Sequence, residues 1–350
     1  MRRTRKTLIP AAIAMLAALP SFAAEGRIPV WQPTVLSAPG KYVVTRNITA
    51  NPGAPAIQVT AADVDLDLNG MEVLQPDSGV PAIYAPSPSG VRIHDGAIRG
   101  GRNGVQAGAG SKLILERLRV ADTASDGLLL SDVDSQVVRD NVIFNVAGAG
   151  IQLDGNLPKT GSIADNVIRR TSGGIEVLGG TSLAIVHNRI EQSAFGPGLP
   201  RGVVLDGCAG VLVSDNTIQD ISGPGISILG SGGHEVDRNV IRGAAAGGIF
   251  IDNVSHDNVL RANVITASGA GSGIAVYSSR NVLEGNLSNS NLSFGLVLGT
   301  SSKANVYRQN VARGNGGGGG PCLAVFTPDF CDNGIGNSTA LDNFLPSPGM

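Results

Sequence analysis

Residues 138–143 read VRDNVI: an apolar residue, two variable residues, asparagine, one variable residue and an apolar residue. The pattern returns as IADNVI at 163–168, IVHNRI at 185–190, VSDNTI at 213–218, VDRNVI at 236–241 and LRANVI at 260–265. Successive asparagines lie 22 to 28 residues apart, and weaker copies continue at Asn286 and Asn310. A repeat of this period indicates a stack of similar structural units.

A glycine that opens a short apolar strand marks a second position in each repeat. The copies are GIQL at 150–153, GIEV at 174–177, GVVL at 202–205, GISI at 225–228, GIFI at 248–251, GIAV at 273–276 and GLVL at 295–298. Apolar residues alternate with period 2, which is typical of strands with one buried face. Each repeat therefore predicts one coil of about three short strands, stacked on the next coil at roughly 4.8 Å.

This stacking predicts which side chains face the core. The inward pairs are Ile151/Leu153, Ile175/Val177, Ile226/Ile228 and Ile249/Ile251, and the outward residues between them are Gln152, Glu176, Ser227 and Phe250. Asparagine tolerates the left-handed backbone of a tight corner, and its amide can bond to an identical amide one coil away. We therefore predict a continuous ladder of asparagine side chains from Asn141 to Asn310.

The ends of the chain differ from the repeat. Basic residues at positions 2, 3, 5 and 6 precede an apolar run, Leu8 to Leu19, that is too short to span a bilayer. Small residues around Ala23 predict an export signal over 1–23 that is cleaved after Ala23, and general secretion is favoured over the twin-arginine route. No later segment predicts a membrane span.

The rest of the chain divides into caps and coils. We predict an N-terminal cap over 24–45, a parallel β-helix over 46–315 and a C-terminal cap or tail over 316–350, because open ends would expose core and strand edges. Weaker corners at Asn47, Asn69, Gly96 and Arg117 bring the total to about twelve coils.

Charge and cysteine usage limit the partners and the compartment. Without residues 1–23 the chain holds 22 basic against 28 acidic residues, a net charge of −6, which argues against nucleic-acid binding. Cys322 and Cys331 lie close together in the C-terminal tail, and an exported protein can join them in a disulfide. Cys208 is then left as a small buried thiol.

The corner and strand motifs together resemble the right-handed parallel β-helix superfamily over nearly all of residues 40 to 315. The resemblance implies an all-β fold, a single-stranded right-handed solenoid. That superfamily includes pectate lyases, polygalacturonases, alginate epimerases and lyases, and a periplasmic NosD-like branch that helps assemble copper centres. Its motifs specify the fold and leave the branch open.

In the enzyme branches, the resemblance implies a groove on the outer strand face that follows the glycines. The long insertion at 191–201 would wall this groove, with Glu176, Asp206 and Arg201 as catalytic candidates and Asp154, Asp252, Phe250 and Tyr277 as substrate-binding candidates. Arg201 could neutralise a uronic acid while a carboxyl group transfers a proton. The competing interpretation is that these acids only begin turns or cover a solvated face.

Several family motifs are absent. His234 lies in GGHEV and not in the Gly-His-Gly of polygalacturonases, and the Arg-x-Pro-x-x-Arg of lyases is missing. His187, His234 and His256 lie at different distances from their asparagines, so we interpret them as surface histidines rather than copper ligands. Asp140 and Asp165 would share an exposed corner column, where ordinary polar corner chemistry is favoured over a cation site. We predict no cofactor and no metal.

The leading interpretation is a periplasmic or secreted protein that binds an extracellular or cell-envelope carbohydrate, an acidic polysaccharide above all. If it is an enzyme, it is a polysaccharide lyase, hydrolase or epimerase. The alternative is a non-catalytic structural or interaction rod, or a periplasmic accessory protein of the copper-centre-assembly type.

Overall fold

The fold is known from a computed structural model that describes residues 26–155, 160–191, 200–316, 325–327, 329–333 and 337–339. These residues form 36 strands and no helix. It follows that none of them lies in a helix long and apolar enough to cross a membrane.

The strands are short and follow one another at regular intervals. The first twelve are β1 (Ile28–Val30), β2 (Thr34–Leu36), β3 (Gly40–Val44), β4 (Ile48–Thr49), β5 (Ile57–Val59), β6 (Val64–Asp67), β7 (Glu72–Gln75), β8 (Ile83–Ala85), β9 (Val91–Gly100), β10 (Val105–Ala107), β11 (Leu113–Ala121) and β12 (Leu128–Ser131). The next twelve are β13 (Ser135–Arg139), β14 (Val142–Asp154), β15 (Thr160–Ala164), β16 (Val167–Thr181), β17 (Leu183–Val186), β18 (Arg189–Glu191), β19 (Val203–Ala209), β20 (Leu212–Ser214), β21 (Thr217–Gln219), β22 (Ile226–Leu229), β23 (Glu235–Asp237) and β24 (Val240–Arg242). The last twelve are β25 (Ile249–Ile251), β26 (Val259–Arg261), β27 (Val264–Thr266), β28 (Ile274–Val276), β29 (Val282–Glu284), β30 (Leu287–Asn289), β31 (Leu296–Leu298), β32 (Val306–Arg308), β33 (Val311–Arg313), β34 (Val325–Thr327), β35 (Phe330–Asp332) and β36 (Ser338–Thr339).

Each strand pairs in parallel with its counterparts in the neighbouring coils, and only β34 pairs antiparallel, with β35. Three faces result. Sheet B consists of the strands that follow the glycines, from β2 and β5 to β35. Sheet C consists of the strands that follow the asparagine corner, from β4 and β7 to β33. Sheet A contains β1, β3, β6, β9, β11, β13, β15, β17, β20, β23, β26, β29, β32 and β36. The molecule is therefore a right-handed parallel β-helix of about twelve turns, as predicted.

The inward columns are buried as the alternation predicts. Ile151, Ile175, Val203, Ile226 and Ile249 lie in one column of sheet B, each opposite the next, and all are fully buried. Burying a side chain of this size stabilises the fold by about 1.5 to 3 kcal/mol. Because each column contributes one such residue per coil, the core runs without a break along the helix axis.

The predicted asparagine ladder is confirmed. Its members are Asn141, Asn166, Asn188, Asn216, Asn239, Asn263, Asn286 and Asn310. The Oδ1 of each later asparagine accepts from the Nδ2 of the preceding one at 2.9 to 3.0 Å and from its backbone N–H at 2.9 to 3.1 Å. Each Nδ2 also donates to a carbonyl of the coil before, at 2.8 to 3.0 Å. The corner backbone is thus hydrogen-bonded in the interior.

The prediction that these asparagines themselves adopt the left-handed backbone conformation is wrong by one residue. The left-handed conformation belongs to the residue before each asparagine, for example Asp140 and Asp165 with φ of 57° and Arg238 with φ of 51°. This residue turns the chain and points to solvent, which leaves the asparagine free to aim its amide inward.

Two further polar columns occupy the other corners. In one, the Oδ1 of Asn258 accepts from the His234 backbone N–H at 3.1 Å, and the series continues through Asn281 and Asn305. In the other, Asn291 and Asn315 are joined at 2.7 Å and end on the Asp329 carboxylate at 2.8 Å.

His234 is not the surface histidine that its sequence context suggested. It is 1% exposed, and its Nδ1 accepts from the Val211 backbone N–H at 3.1 Å. It therefore occupies the column position that Asn258 fills one coil later. Burial lowers the pKa of the imidazole to about 4.

The ends of the solenoid continue its pattern. β1 pairs with β3 and β2 with β5, so the segment expected to form a cap carries coil strands in register, with Trp31 exposed beside them. At the other end, the rings of Tyr307 and Phe330 lie 4.8 Å apart.

The cysteines lie in the second half of the chain. Cys208 is a buried thiol whose Sγ donates to the Val177 carbonyl at 3.1 Å. Cys331 is buried in β35, and Cys322 lies outside the described residues, so their pairing stays a prediction.

Replacing Asn216 by leucine tests the ladder. The change removes the acceptor of the Asn188 backbone N–H and the Asn216 donor to the Ile185 carbonyl in the interior, and we expect the free energy of unfolding to fall by roughly 1 to 3 kcal/mol. Denaturant titration measures this. Asn253 is exposed, so Asn253→Leu should change stability by less than about 0.5 kcal/mol. Equal effects of the two substitutions would contradict the ladder.

The buried His234 predicts a dependence of stability on pH. Its pKa falls from 6.5 to about 4 on folding, so the unfolded chain binds a proton that the folded chain rejects. The contribution of His234 to the free energy of unfolding is therefore complete above the pKa of the unfolded chain. It is lost as the pH falls toward the pKa of the folded chain, and the loss is at most about 3 kcal/mol. His234→Asn, which restores a column residue, should flatten this part of the stability profile. His187→Asn removes an exposed imidazole instead and is the control for the loss of a histidine side chain.

Candidate functional site

The outer face of sheet B carries one continuous column of side chains. Gln152, Glu176, Val204, Ser227 and Phe250 lie opposite one another on β14, β16, β19, β22 and β25. Although they point away from the core, Val204 and Ser227 are only 3% and 1% exposed. The middle of this face, at Val204 and Ser227, is therefore shielded from solvent, and we call it the covered part. Glu176 lies at one border of the covered part and Phe250 at the other.

Glu176 is half-buried, and its carboxyl group lies over Gly173, where a Cβ would overlap its Oε1. Burial raises the pKa of Glu176, the negative charge of Asp126 raises it further, and the positive charge of Arg201 opposes both. The sequence placed Glu176 and Arg201 together, and the structure brings their charges into interaction.

Asp126 is the residue that the sequence interpretation missed. It lies at the corner before β12, and its Oδ1 accepts from the Ala149 backbone N–H at 2.9 Å while Ser125 donates to its Oδ2 at 3.1 Å. Burial raises the pKa of Asp126 in spite of these hydrogen bonds and of the nearby charge of Arg102. The site thus contains two carboxyl groups with raised pKa and two arginines.

A sequence signal for Asp126 did exist. Gly127 opens GLLL in the same phase as Gly150, one repeat earlier than the first copy recognised. Asp126 directly precedes that marker, in the position that Arg201 has before Gly202. Extending the series by one coil would have placed Asp126 and Arg201 at the same corner.

The other predicted acids lie elsewhere. Asp206 is exposed in the middle of β19, opposite Leu178 and two residues beyond the neighbour of Glu176. Asp154 is the last residue of β14. The Asp252 carboxylate accepts from Val254 N, Ser255 N and Ser255 Oγ of its own turn and from Gly230 N of the preceding coil. These three acids do not join the Glu176 group.

Phe250 and Tyr277 form an aromatic pair at the other border of the covered part. Their rings are 5.8 Å apart and tilted by 48°. The Tyr277 ring lies over Gly299, where any side chain would overlap it, and remains partly exposed. Such a pair can stack against the apolar face of a sugar, but it lies three coils, roughly 14 Å, from Glu176.

The corner acids considered for a cation behave as surface residues. Asp140 and Asp165 are exposed, as is His187 in the same column. Further along, Asp215 is held by Arg238 through two contacts of 2.9 Å, which lowers its pKa to about 2. Ion pairing between coils accounts for this part of the column.

Comparisons with known proteins agree with this architecture. A family model described as a right-handed β-helix region matches residues 37–190, and one described as periplasmic copper-binding protein (NosD) matches 148–315. Together the two matches span residues 37–315 and support the right-handed parallel β-helix superfamily. A search of curated proteins found no match.

Solved structures share the fold at low sequence identity. The A-module of mannuronan C-5 epimerase AlgE6 of Azotobacter vinelandii is 15% identical, with a TM-score of 0.63 over 89% of this chain and 90% of that one. The periplasmic alginate epimerase AlgG is 14% identical, with a TM-score of 0.54 over 87% and 79%. A GH87 α-1,3-glucanase catalytic domain is 9% identical, with a TM-score of 0.50 over 88% and 64%. At these identities the likeness concerns the fold.

The raised pKa of Glu176 has a measurable consequence. Because the folded chain favours the neutral form of this carboxyl group and the unfolded chain ionises it, the raised pKa makes folding less favourable at neutral pH, and Glu176→Gln should raise the melting temperature by roughly 1 to 3 °C. Below the unfolded pKa of 4.5 the carboxyl group is protonated in both states and the gain should vanish. The exposed Glu235→Gln is the control and should show no such gain. A loss of stability at neutral pH in Glu176→Gln would contradict the assignment.

Proposed function

We propose that this chain is an exported β-helix protein that binds an acidic polysaccharide of the cell envelope or its surroundings, beside the covered part of sheet B. The observation that carries the proposal is the group formed by Glu176, Asp126 and Arg201. Buried carboxyl groups with raised pKa beside a cation are typical of functional sites, because the fold gains no stability from them.

The chemistry of the group suits a uronic acid. Arg201 can pair with the sugar carboxylate through its guanidinium group, which prefers planar oxyanions. Glu176 and Asp126 both hold a proton more readily than an exposed acid does. Either is therefore a candidate to exchange a proton with a bound sugar, as lyase, epimerase and hydrolase chemistry all require. The Phe250–Tyr277 pair offers a separate contact for a long chain.

The fold supports this class of ligand without deciding it. The neighbours with the same architecture include proteins whose names give mannuronan, alginate and α-1,3-glucan as substrates. The predicted export signal ending at Ala23 would bring this chain to the compartment where such polymers occur.

A second function follows from the NosD match over residues 148–315. Copper handling requires clustered histidine, cysteine or methionine donors. Within the described part of that range, His187 and His256 are exposed on different corners and His234 is buried in a polar column. We therefore rank it below polysaccharide binding.

Arg201→Ala tests the proposal. We expect the mature protein to bind alginate or polygalacturonate, and the variant to bind at least tenfold more weakly, a loss of about 1.4 kcal/mol. Calorimetric titration measures the affinity, and the melting temperature should not change. Arg242→Ala on sheet C is the matched control and should bind as the wild type does.

The same experiment separates binding from processing. If the polymer is processed, Glu176→Gln should abolish the formation of new chain ends or of epimerised residues while binding persists. Unchanged affinity of Arg201→Ala for every acidic polymer would contradict the proposal and favour the structural rod.

A further inference from the structure

A second group of ionisable side chains lies far from this site, on the outer face of sheet A in the N-terminal coils. His94 on β9 lies opposite Asp67 on β6 and Glu116 on β11. Its imidazole is only 7% exposed. The Nε2 atom lies 3.0 Å from Asp65 Oδ1, and the Nδ1 atom lies 2.6 Å from Asp95 Oδ2.

The imidazole faces more acceptors than its neutral form can serve. A neutral imidazole carries one N–H, whereas His94 faces a carboxylate oxygen at both nitrogens. If Nε2 donates to Asp65, the lone pair of Nδ1 lies 2.6 Å from an oxygen lone pair of Asp95. That contact is repulsive unless a proton on Nδ1 or a bound cation lies between the two atoms.

Asp67 supplies a further oxygen at the same point. Ligand atoms of Asp67, His94 and Asp95 all lie within 4.8 Å of one another, and no other group of three such donors occurs in the described residues. A cation at ligand distances of about 2.0 to 2.2 Å fits among these atoms once His94 Nδ1 and Asp95 Oδ2, now in contact at 2.6 Å, move apart and the Asp67 oxygen moves in.

We propose that His94 Nδ1, with one oxygen each from Asp67 and Asp95, binds a divalent transition-metal ion of the zinc type. One imidazole and two carboxylates are donors that suit such an ion better than Ca²⁺ or Mg²⁺, which prefer oxygen alone. Asp65 has the position of the carboxylate that commonly orients a metal-binding histidine through its other nitrogen.

Two arginines hold the carboxylates in place. Arg117 contacts both oxygens of Asp95, at 2.6 and 2.8 Å, and Arg27 contacts Asp67 Oδ2 at 2.7 Å. Asp67 Oδ1 accepts from the Asn69 backbone N–H at 2.7 Å. The acids are thus ordered before any ion arrives, which lowers the cost of assembling the ligands.

The chain contains its own control. His256 Nδ1 lies 2.9 Å from Asp257 Oδ2, and Arg280 contacts both oxygens of Asp257 at 2.7 Å, which repeats the His94–Asp95–Arg117 arrangement. However, the His256 side chain is 53% exposed, and no third donor completes a group there among the described residues. The corner motif alone is therefore structural, and burial with two more carboxylates distinguishes His94.

The test is titration of the tag-free, chelator-treated mature protein with ZnCl₂, followed by calorimetry and by elemental analysis after dialysis. We expect one zinc ion per chain. His94→Gln should lower the affinity at least a hundredfold, and Asp67→Asn and Asp65→Asn at least tenfold. His256→Gln and Arg201→Ala should bind zinc as the wild type does, so this result is independent of polysaccharide binding.

A second measurement guards against misfolding of the variants. Co²⁺ bound through one nitrogen and two oxygens gives a visible absorption band that His94→Gln should lose, while circular dichroism shows the solenoid intact. Absence of zinc binding in the wild type, or equal affinity in His94→Gln, would overturn the proposal, as would loss of binding in His256→Gln.

Discussion

The amide-to-amide hydrogen bond between successive coils is the interaction on which the solenoid depends. A coil of short strands must turn sharply, and each turn brings backbone groups into a dry interior where water cannot reach them. An unpaired group there costs about 1 to 3 kcal/mol. Asn216 shows how these groups are paired. Its Oδ1 accepts from the backbone N–H and the Nδ2 of Asn188, and its Nδ2 donates to Asn239 Oδ1 and to the Ile185 carbonyl. One side-chain type thus satisfies this corner in every coil from Asn141 to Asn310.

Much of this architecture could be predicted, because it follows from periodicity. Alternation fixed the inward columns, and the asparagine spacing located one corner. The corner position with the left-handed backbone could not be predicted, because aspartate, arginine, alanine and histidine all occupy it and no residue type marks it. The column through Asn258, Asn281 and Asn305 was also missed, although each of these asparagines begins NVL or NVY and lies five residues before an asparagine of the main ladder. Two asparagine columns that share one period and lie five residues apart are hard to tell apart in a single sequence.

The candidate site was predictable only in part, for a physical reason. Glu176 and Arg201 stood out because the insertion interrupts the repeat beside them. Asp126 comes from an earlier coil, and what makes it unusual is burial, which the sequence does not report. His94 is similar: its partners lie on two coils and at two positions of each strand, so that neither spacing nor residue type connects them. Departures from the repeat therefore indicate where to look, and burial decides what a side chain can do.

The ladder has a direction. In every amide-to-amide hydrogen bond from Asn141 to Asn310 the asparagine on the N-terminal side donates and the one on the C-terminal side accepts, so these bonds align head to tail along the axis. Hydrogen bonds in such a row polarise one another, and each becomes stronger with neighbours on both sides. Cohesion is therefore greatest in the central coils and weakest at the two ends, and the molecule has an electrical polarity that a stack of unaligned turns would lack.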